Sequence, residues 1–215
     1  MLKRTIYEQV LDEIRKMLLT GQIRPGERII ESQMADRLNV SRGPVREALR
    51  QLSNESLVTY VPHKGCEAKL LSPDALRESY LIRSTLEGLA VSIYSGKMPD
   101  RYLKRLEKSV DDLAHAAKEK SMVDIIEADE RFHSIIVEAS EREKLFEMWK
   151  LLAGINISAF YTMENKDSLP YEYLERNHRW ILELFQAGAD ASDIVEKIHE
   201  HYMVVPEELY RKDNP

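Results

Sequence analysis

The chain changes rhythm at Ser72. Before it, short elements of different type follow one another within a few residues; after it, apolar positions recur at helical spacing almost to the end. A chain of 215 residues is long enough for two small domains, and the break places the boundary between 1–72 and 73–215. Charge divides at the same point. The net charge of −6 argues against a nucleic-acid partner, but residues 1–72 balance at +3 and residues 73–215 at −9. Only the first part is expected to meet a polyanion.

The first part has three helical stretches and a hairpin. Tyr7, Val10, Leu11, Ile14 and Leu18 form one apolar helical face that ends at Gly21. After a short extended piece with a Pro25-Gly26 turn, a second helix is expected from a Ser32 cap to Leu38. Asn39-Val40 then turns the chain, and Ser41 is placed to cap a third helix through Leu52. Pro44 is tolerated there, because its missing amide falls in the first turn. Two strands are expected at 57–61 and 67–71, around the polar tip Pro62-His63-Lys64-Gly65.

Two short helices joined by a tight turn and followed by a hairpin describe a winged helix-turn-helix. In the third helix, Val45, Ala48, Leu49 and Leu52 share one face, while Arg42, Arg46 and Arg50 recur every four residues on another. An arginine fork can bond O6 and N7 of guanine, or two phosphate oxygens. A solvated face, with Arg46 paired to Glu47 or Glu27, is the competing reading.

The second part reads as six helices near 73–96, 100–119, 121–139, 142–163, 170–187 and 190–211, an all-α bundle. The fold class is therefore mainly α, with one small β-hairpin wing. Asp129 and His133 lie four apart on one of these helices, and their side chains leave the same face. His178 and His201 lie on two later helices. One carboxylate and three imidazoles from three helices suit a divalent transition ion such as Zn²⁺, Ni²⁺ or Mn²⁺. A solvent-facing or packed histidine is the competing reading at each position. The single cysteine, Cys66, excludes a disulfide framework and a Cys-rich zinc module. The charged opening Met1–Lys16 does not read as a signal peptide, and no apolar run reaches the ~18 residues of a membrane span. A cytoplasmic protein without a membrane partner is expected.

The run Gly26-Glu27-Arg28-Ile29-Ile30-Glu31, followed by Met34 through Leu52 with its Val40-Ser41-Arg42-Gly43-Pro44-Val45-Arg46-Glu47-Ala48-Leu49, resembles the GntR family of bacterial transcription regulators. The resemblance implies that Arg42 and Arg46 touch DNA from the recognition helix, and that His63, Lys64 and Gly65 at the wing tip enter the minor groove. The candidate DNA-facing set is Arg28, Ser41, Arg42, Gly43, Arg46, Arg50, His63, Lys64 and Gly65. The chain departs from the family pattern at Ser56, where glycine is usual, at Lys64, where arginine is common, and at Ser32, where some relatives carry arginine.

The segments Tyr80 to Glu87, Asp129-Glu130-Arg131-Phe132-His133, Glu175-Arg176-Asn177-His178 and Ile198-His199-Glu200-His201 resemble the FCD effector domain of the FadR branch. The resemblance implies that Asp129, His133, His178 and His201 hold a metal in the bundle core, with His201 rather than His199 in the motif position. It also implies that Arg83 lines the pocket beside the metal and clamps an effector carboxylate. An i, i+4 ion pair with Glu87 is the alternative. Tyr80 and Asn156 are the other candidate effector contacts. Six helices would fit the shorter, VanR-like group.

These readings combine into a ligand-responsive regulator, not an enzyme. It would bind a palindromic operator on double-stranded DNA as a homodimer and take a small organic acid as effector, repression being the commoner family behaviour. Two other readings are a metal-responsive regulator, in which the ion is the signal, and a metalloenzyme with a DNA-binding appendage, with Glu130 or Glu175 as general base.

Overall fold

The computed structural model describes residues 5–61, 65–166 and 171–213. Helix α1 (Ile6–Leu19) opens with a capping box, in which the Thr5 hydroxyl accepts from the Glu8 amide and the Glu8 carboxylate accepts from the Thr5 amide. It packs along α3 (Arg42–Asn54), the two burying Val10, Ile14 and Leu18 against Val45, Leu49 and Leu52. Helix α2 (Glu31–Leu38) lies between them in sequence. It starts one residue before the expected Ser32 and follows Ile30, which supplies no side-chain cap. Asn39 turns the chain to α3 in the left-handed region, at φ 53°. Ser41 stands at the N-cap of α3, but its hydroxyl makes no capping bond.

The sheet has one strand more than the hairpin alone. β1 (Arg28–Ile29), β2 (Val58–Val61) and β3 (Gly65–Ala68) form an antiparallel sheet in the order β1-β3-β2, with Tyr60 opposite Cys66 and Arg28 opposite Glu67. The second strand of the hairpin thus runs over 65–68 rather than 67–71. Residues 69–71 leave the sheet, and Leu71 instead donates its amide to the Thr162 hydroxyl in the bundle at 3.0 Å.

From a Ser72 cap the chain continues as α4 (Pro73–Ile93), α5 (Asp100–Glu119), α6 (Met122–Glu138), α7 (Glu143–Lys150), α8 (Ala153–Asn165), α9 (Tyr171–Ala187) and α10 (Ala191–Asp213). Among the described residues the bundle therefore has seven helices, and the expected helix at 142–163 is two. Three local features explain the break. Leu151 turns outward and is 85% exposed, Gly154 is a poor helix former, and the Leu152 carbonyl is held by a buried arginine. Seven helices do not match the six expected of the shorter, VanR-like group.

Helix α8 has no single apolar face: Ala159, Phe160, Tyr161 and Met163 are buried on it together with Asn156, Ser158 and Thr162, as in a helix packed on two sides. Phe160, Tyr161 and Met163 join an apolar cluster that runs through the winged unit, α5 and α6; Ala159 joins the separate cluster at the centre of the bundle. The two halves meet along this helix.

Candidate metal centre and DNA-facing surface

In α3 the amphipathic division is clean. Val45, Ala48, Leu49 and Leu52 are fully buried, while Arg42, Gly43, Arg46 and Arg50 are exposed on the opposite side, below an exposed Ser41. Arg28 is exposed on β1. Gly65 opens β3 at φ 90°, where a Cβ would also stand 3.3 Å from the Ile29 carbonyl. His63 and Lys64 lie outside the described residues. Arg46 is paired, but with neither Glu47 nor Glu27. Its Nη2 and Nε reach Glu31 of α2, at 3.0 and 3.1 Å from Oε2. Half of the Arg46 side chain remains in water, where such a pair is weak, so a phosphate can replace the carboxylate. Among the described residues no ion pair engages Arg42 or Arg50.

In the bundle, α6 supplies Asp129 and His133 one turn apart, α9 supplies His178 and α10 supplies His201. One ligand atom from each lies within 4.8 Å of every other. His133 Nε2 is 3.2 Å from His201 Nε2 and 4.0 Å from Asp129 Oδ1, and His178 Nε2 is 3.0 Å from the same oxygen. Atoms bound at about 2.0 to 2.2 Å to one ion stand this far apart.

The hydrogen bonds behind these atoms decide which nitrogens are free. His178 Nδ1 is 2.7 Å from the Leu174 carbonyl, which can only accept, so Nδ1 carries the proton. His133 Nδ1 is 2.9 Å from the Glu87 carboxylate and is fixed the same way. In the neutral rings both Nε2 atoms then present lone pairs to the cluster. His178 Nε2 faces Asp129 without hydrogen-bond geometry despite the short separation. Lone pairs converging on a carboxylate repel unless a cation lies between them. The residues therefore fit a divalent ion with an N₃O donor set, and the partners of the two Nδ1 atoms are the outer supports that metal-bound imidazoles need.

Burial alone would raise the Asp129 carboxyl, but the imidazoles of His178, His133 and His201 around it hold it well below the usual carboxylate range. Burial, with His178 and His133 beside it, pushes His201 down, so its ring is neutral and able to coordinate.

Around the four ligands lies a second set of polar groups. Asn156 on α8 donates to Asp129 Oδ2 at 2.6 Å, and Tyr80 on α4 donates to the Asn156 carbonyl oxygen at 3.1 Å. Of the two candidate effector contacts, Asn156 thus sits against the carboxylate ligand and Tyr80 behind Asn156. Arg83 is fully buried and does not pair with Glu87. It donates to Glu130 at 2.9 Å, to the Leu152 carbonyl at 3.0 Å and to the Tyr202 hydroxyl at 3.2 Å, and its guanidinium lies 4.4 Å from the centre of the Trp149 ring. Glu87 is taken instead by Trp149 Nε1 at 3.0 Å, by the Tyr202 hydroxyl and by His133. Trp149 and Tyr202 are the site residues that sequence reading did not place around the ion or Arg83, while Glu87 binds His133 rather than Arg83 and Glu130 is the carboxylate that pairs with Arg83. One signal was available: Tyr80, Arg83, Ser84 and Glu87 follow i, i+3, i+4, i+7, a polar stripe on the buried side of α4. His199 points away, with Nδ1 3.2 Å from the Ser84 hydroxyl.

Known proteins share both halves of this arrangement. The family described as bacterial regulatory proteins, gntR family, matches residues 6–67, and the FCD domain matches residues 78–203. The chain is 33% identical over 140 residues to the uncharacterized HTH-type transcriptional regulator YdhC of Bacillus subtilis, an alignment spanning 65% of this chain but only 62% of that protein. It is 28% identical over 186 residues to the probable D-xylose utilization operon transcriptional repressor of Paenarthrobacter nicotinovorans, spanning 86% of this chain and 81% of the relative. Among solved structures, a putative GntR regulator from Rhodococcus sp. RHA1 superposes with a TM-score of 0.75 at 20% identity, covering 95% of this chain and 97% of the other. E. coli McbR/YncC superposes with a TM-score of 0.71 at 24% identity, covering 99% and 100%. At such identities the superpositions speak for the fold alone. The matched families and named relatives are regulators, which leaves the metalloenzyme reading without support.

Proposed function

We propose, on the premise that this chain belongs to the GntR family of bacterial regulatory proteins and carries an FCD domain, that it is a ligand-responsive transcription repressor whose effector is a small organic acid held beside a divalent metal ion. The observation that carries this reading is the set Asp129, His133, His178 and His201, whose free lone pairs converge in the bundle beneath a helix-turn-helix with exposed arginines. The ion supplies a Lewis-acid anchor for a carboxylate. Four protein ligands on a six-coordinate ion leave two positions for water or effector.

DNA contact is assigned to Arg42, Arg46 and Arg50 on α3, with Ser41 and Gly43 at its N-terminus and Arg28 and the wing alongside. Phosphate contacts of this kind make binding steeply salt-dependent. Reading a palindrome requires two copies. Leu81, Ile82, Leu89 and Ile93 on α4, with Met148 on the adjoining α7 and Leu151 just after it, are large apolar side chains left exposed. Such a patch is what a second copy would cover.

The test is metal analysis of the purified protein beside thermal melts, with and without chelator and with a panel of di- and hydroxy-carboxylates. The expected result is one metal per chain and an acid that raises Tm only in the loaded form. Absence of metal and of any chelator effect would reduce the four residues to packing. An ion whose occupancy tracks its concentration, with no acid effect, would favour the metal as the signal. Footprinting on DNA selected from random sequence tests the palindrome.

A further inference from the structure

We propose that Glu55, the residue that ends recognition helix α3, is a positioning residue for that helix, and that α8 sets it by carrying displacements of Asp129 across to the α3–β2 junction. The inference rests on the reading of Asp129 as a metal ligand.

Glu55 is an unusual residue for its place. A carboxylate at a helix C-terminus opposes the helix dipole, and this one is 95% buried. It is held by its surroundings: Arg15 of α1 donates from Nε at 3.0 Å and again from Nη2, and Gln51 donates at 2.9 Å. On its other side lies Gly154 of α8. A Cβ there would come within 3.0 Å of the Glu55 Cα and closer still to its Cβ and Cγ, so no other residue fits without moving Glu55.

The next residue, Ser56, is also fastened to α8. Its carbonyl accepts from the Ser158 hydroxyl at 3.2 Å, and its backbone stands in the left-handed region at φ 60°. Gly154 and Ser158 are one turn apart and share a face. Asn156 lies about 200° round the helix from Gly154 and points the other way, to Asp129. Leu152, two residues before Gly154, gives its carbonyl to Arg83. One turn of a single helix thus touches the metal-ligand carboxylate on one side and the end of the DNA reader on the other. Helix α8 is packed on both sides, so it passes a displacement on as a unit rather than absorbing it.

The test is amide hydrogen exchange on the full chain, chelator-treated and then loaded with Zn²⁺, with zinc binding measured directly. In the wild type, Zn²⁺ is expected to slow exchange over residues 50–57 by about fivefold or more, the lower end of ordinary coupling between sites. Ser158→Ala and Gly154→Ala, which act on the DNA side of α8, are expected to bind Zn²⁺ and lose most of that response. Circular dichroism checks that each variant folds, and Ser158→Ala serves alone if Gly154→Ala does not. Zinc binding without any change over 50–57, or an undiminished response in Ser158→Ala, overturns the proposal. If no zinc binds, the metal reading is what has failed. The coupling is then decided by whether either variant alters exchange over residues 126–133, and no alteration overturns it.

Discussion

The outer face of α3 and the buried polar network of the bundle handle charge in opposite ways. The winged unit keeps Arg42, Arg46 and Arg50 in water, with one weak partner among them, Glu31. The bundle buries Arg83, Glu87, Asp129, His133 and His178 and gives each a fixed partner. An exposed cation is cheap to re-partner, which suits a surface that must exchange water and carboxylate for phosphate. A buried polar network is costly to leave half-satisfied, which suits a site that must hold its shape before a ligand arrives. Substitutions should therefore separate cleanly: those in the bundle act on stability, those on α3 act on DNA affinity.

The largest effect should come from Glu87→Ala. It leaves Trp149 Nε1 and the Tyr202 hydroxyl without their acceptor, and frees His133 to change tautomer. A loss of about 3 to 5 kcal/mol of unfolding free energy is expected in a denaturant titration. A loss below about 1 kcal/mol would mean that the buried network is no more demanding than the surface.

Removing the ion should come next. With free metal a hundredfold above its dissociation constant, binding contributes about 3 kcal/mol, so chelation should lower Tm by several degrees. His178→Ala should abolish that chelator response, and full metal retention would show that the ligand set is wrong. Arg46→Ala should weaken operator binding by roughly tenfold or more and reduce the salt dependence, while the denaturation midpoint hardly moves. A stability loss equal to the affinity loss would erase the contrast between the halves. The smallest effect belongs to Ser56→Gly, which relieves a left-handed backbone and should stabilise by about 1 kcal/mol in the same titration.

The contrast also explains what sequence alone could reach. The apolar face of α3 and its arginine stripe are local, so periodicity finds them. Asp129 and His133 are one turn apart and equally local. Joining them to His178 and His201 required a family pattern, because no local rule places three helices. The partners of Arg83 and Glu87 lie between 46 and 119 residues away in the chain, and the i, i+4 pair between the two, the alternative that spacing offers, does not form. The divided helix was hidden for a similar reason: apolar spacing runs on through Leu151 and Leu152, and the Arg83 bond that captures the Leu152 carbonyl comes from 69 residues upstream. Ser56 is the reverse case. Its departure from glycine was visible in sequence, and φ 60° supplies the reason glycine is usual there.

The Arg46–Glu31 pair bears on how such a protein searches a chromosome. Any DNA that takes Arg46 must first release it from Glu31, and that release is equally unfavourable on every sequence. A uniform penalty leaves the preference of one site over another unchanged, but it shortens each stay at the many wrong ones. Carrying its own anion, a reading head built on Arg46 would move on sooner from random DNA, trading some tightness at the right address for a quicker arrival there.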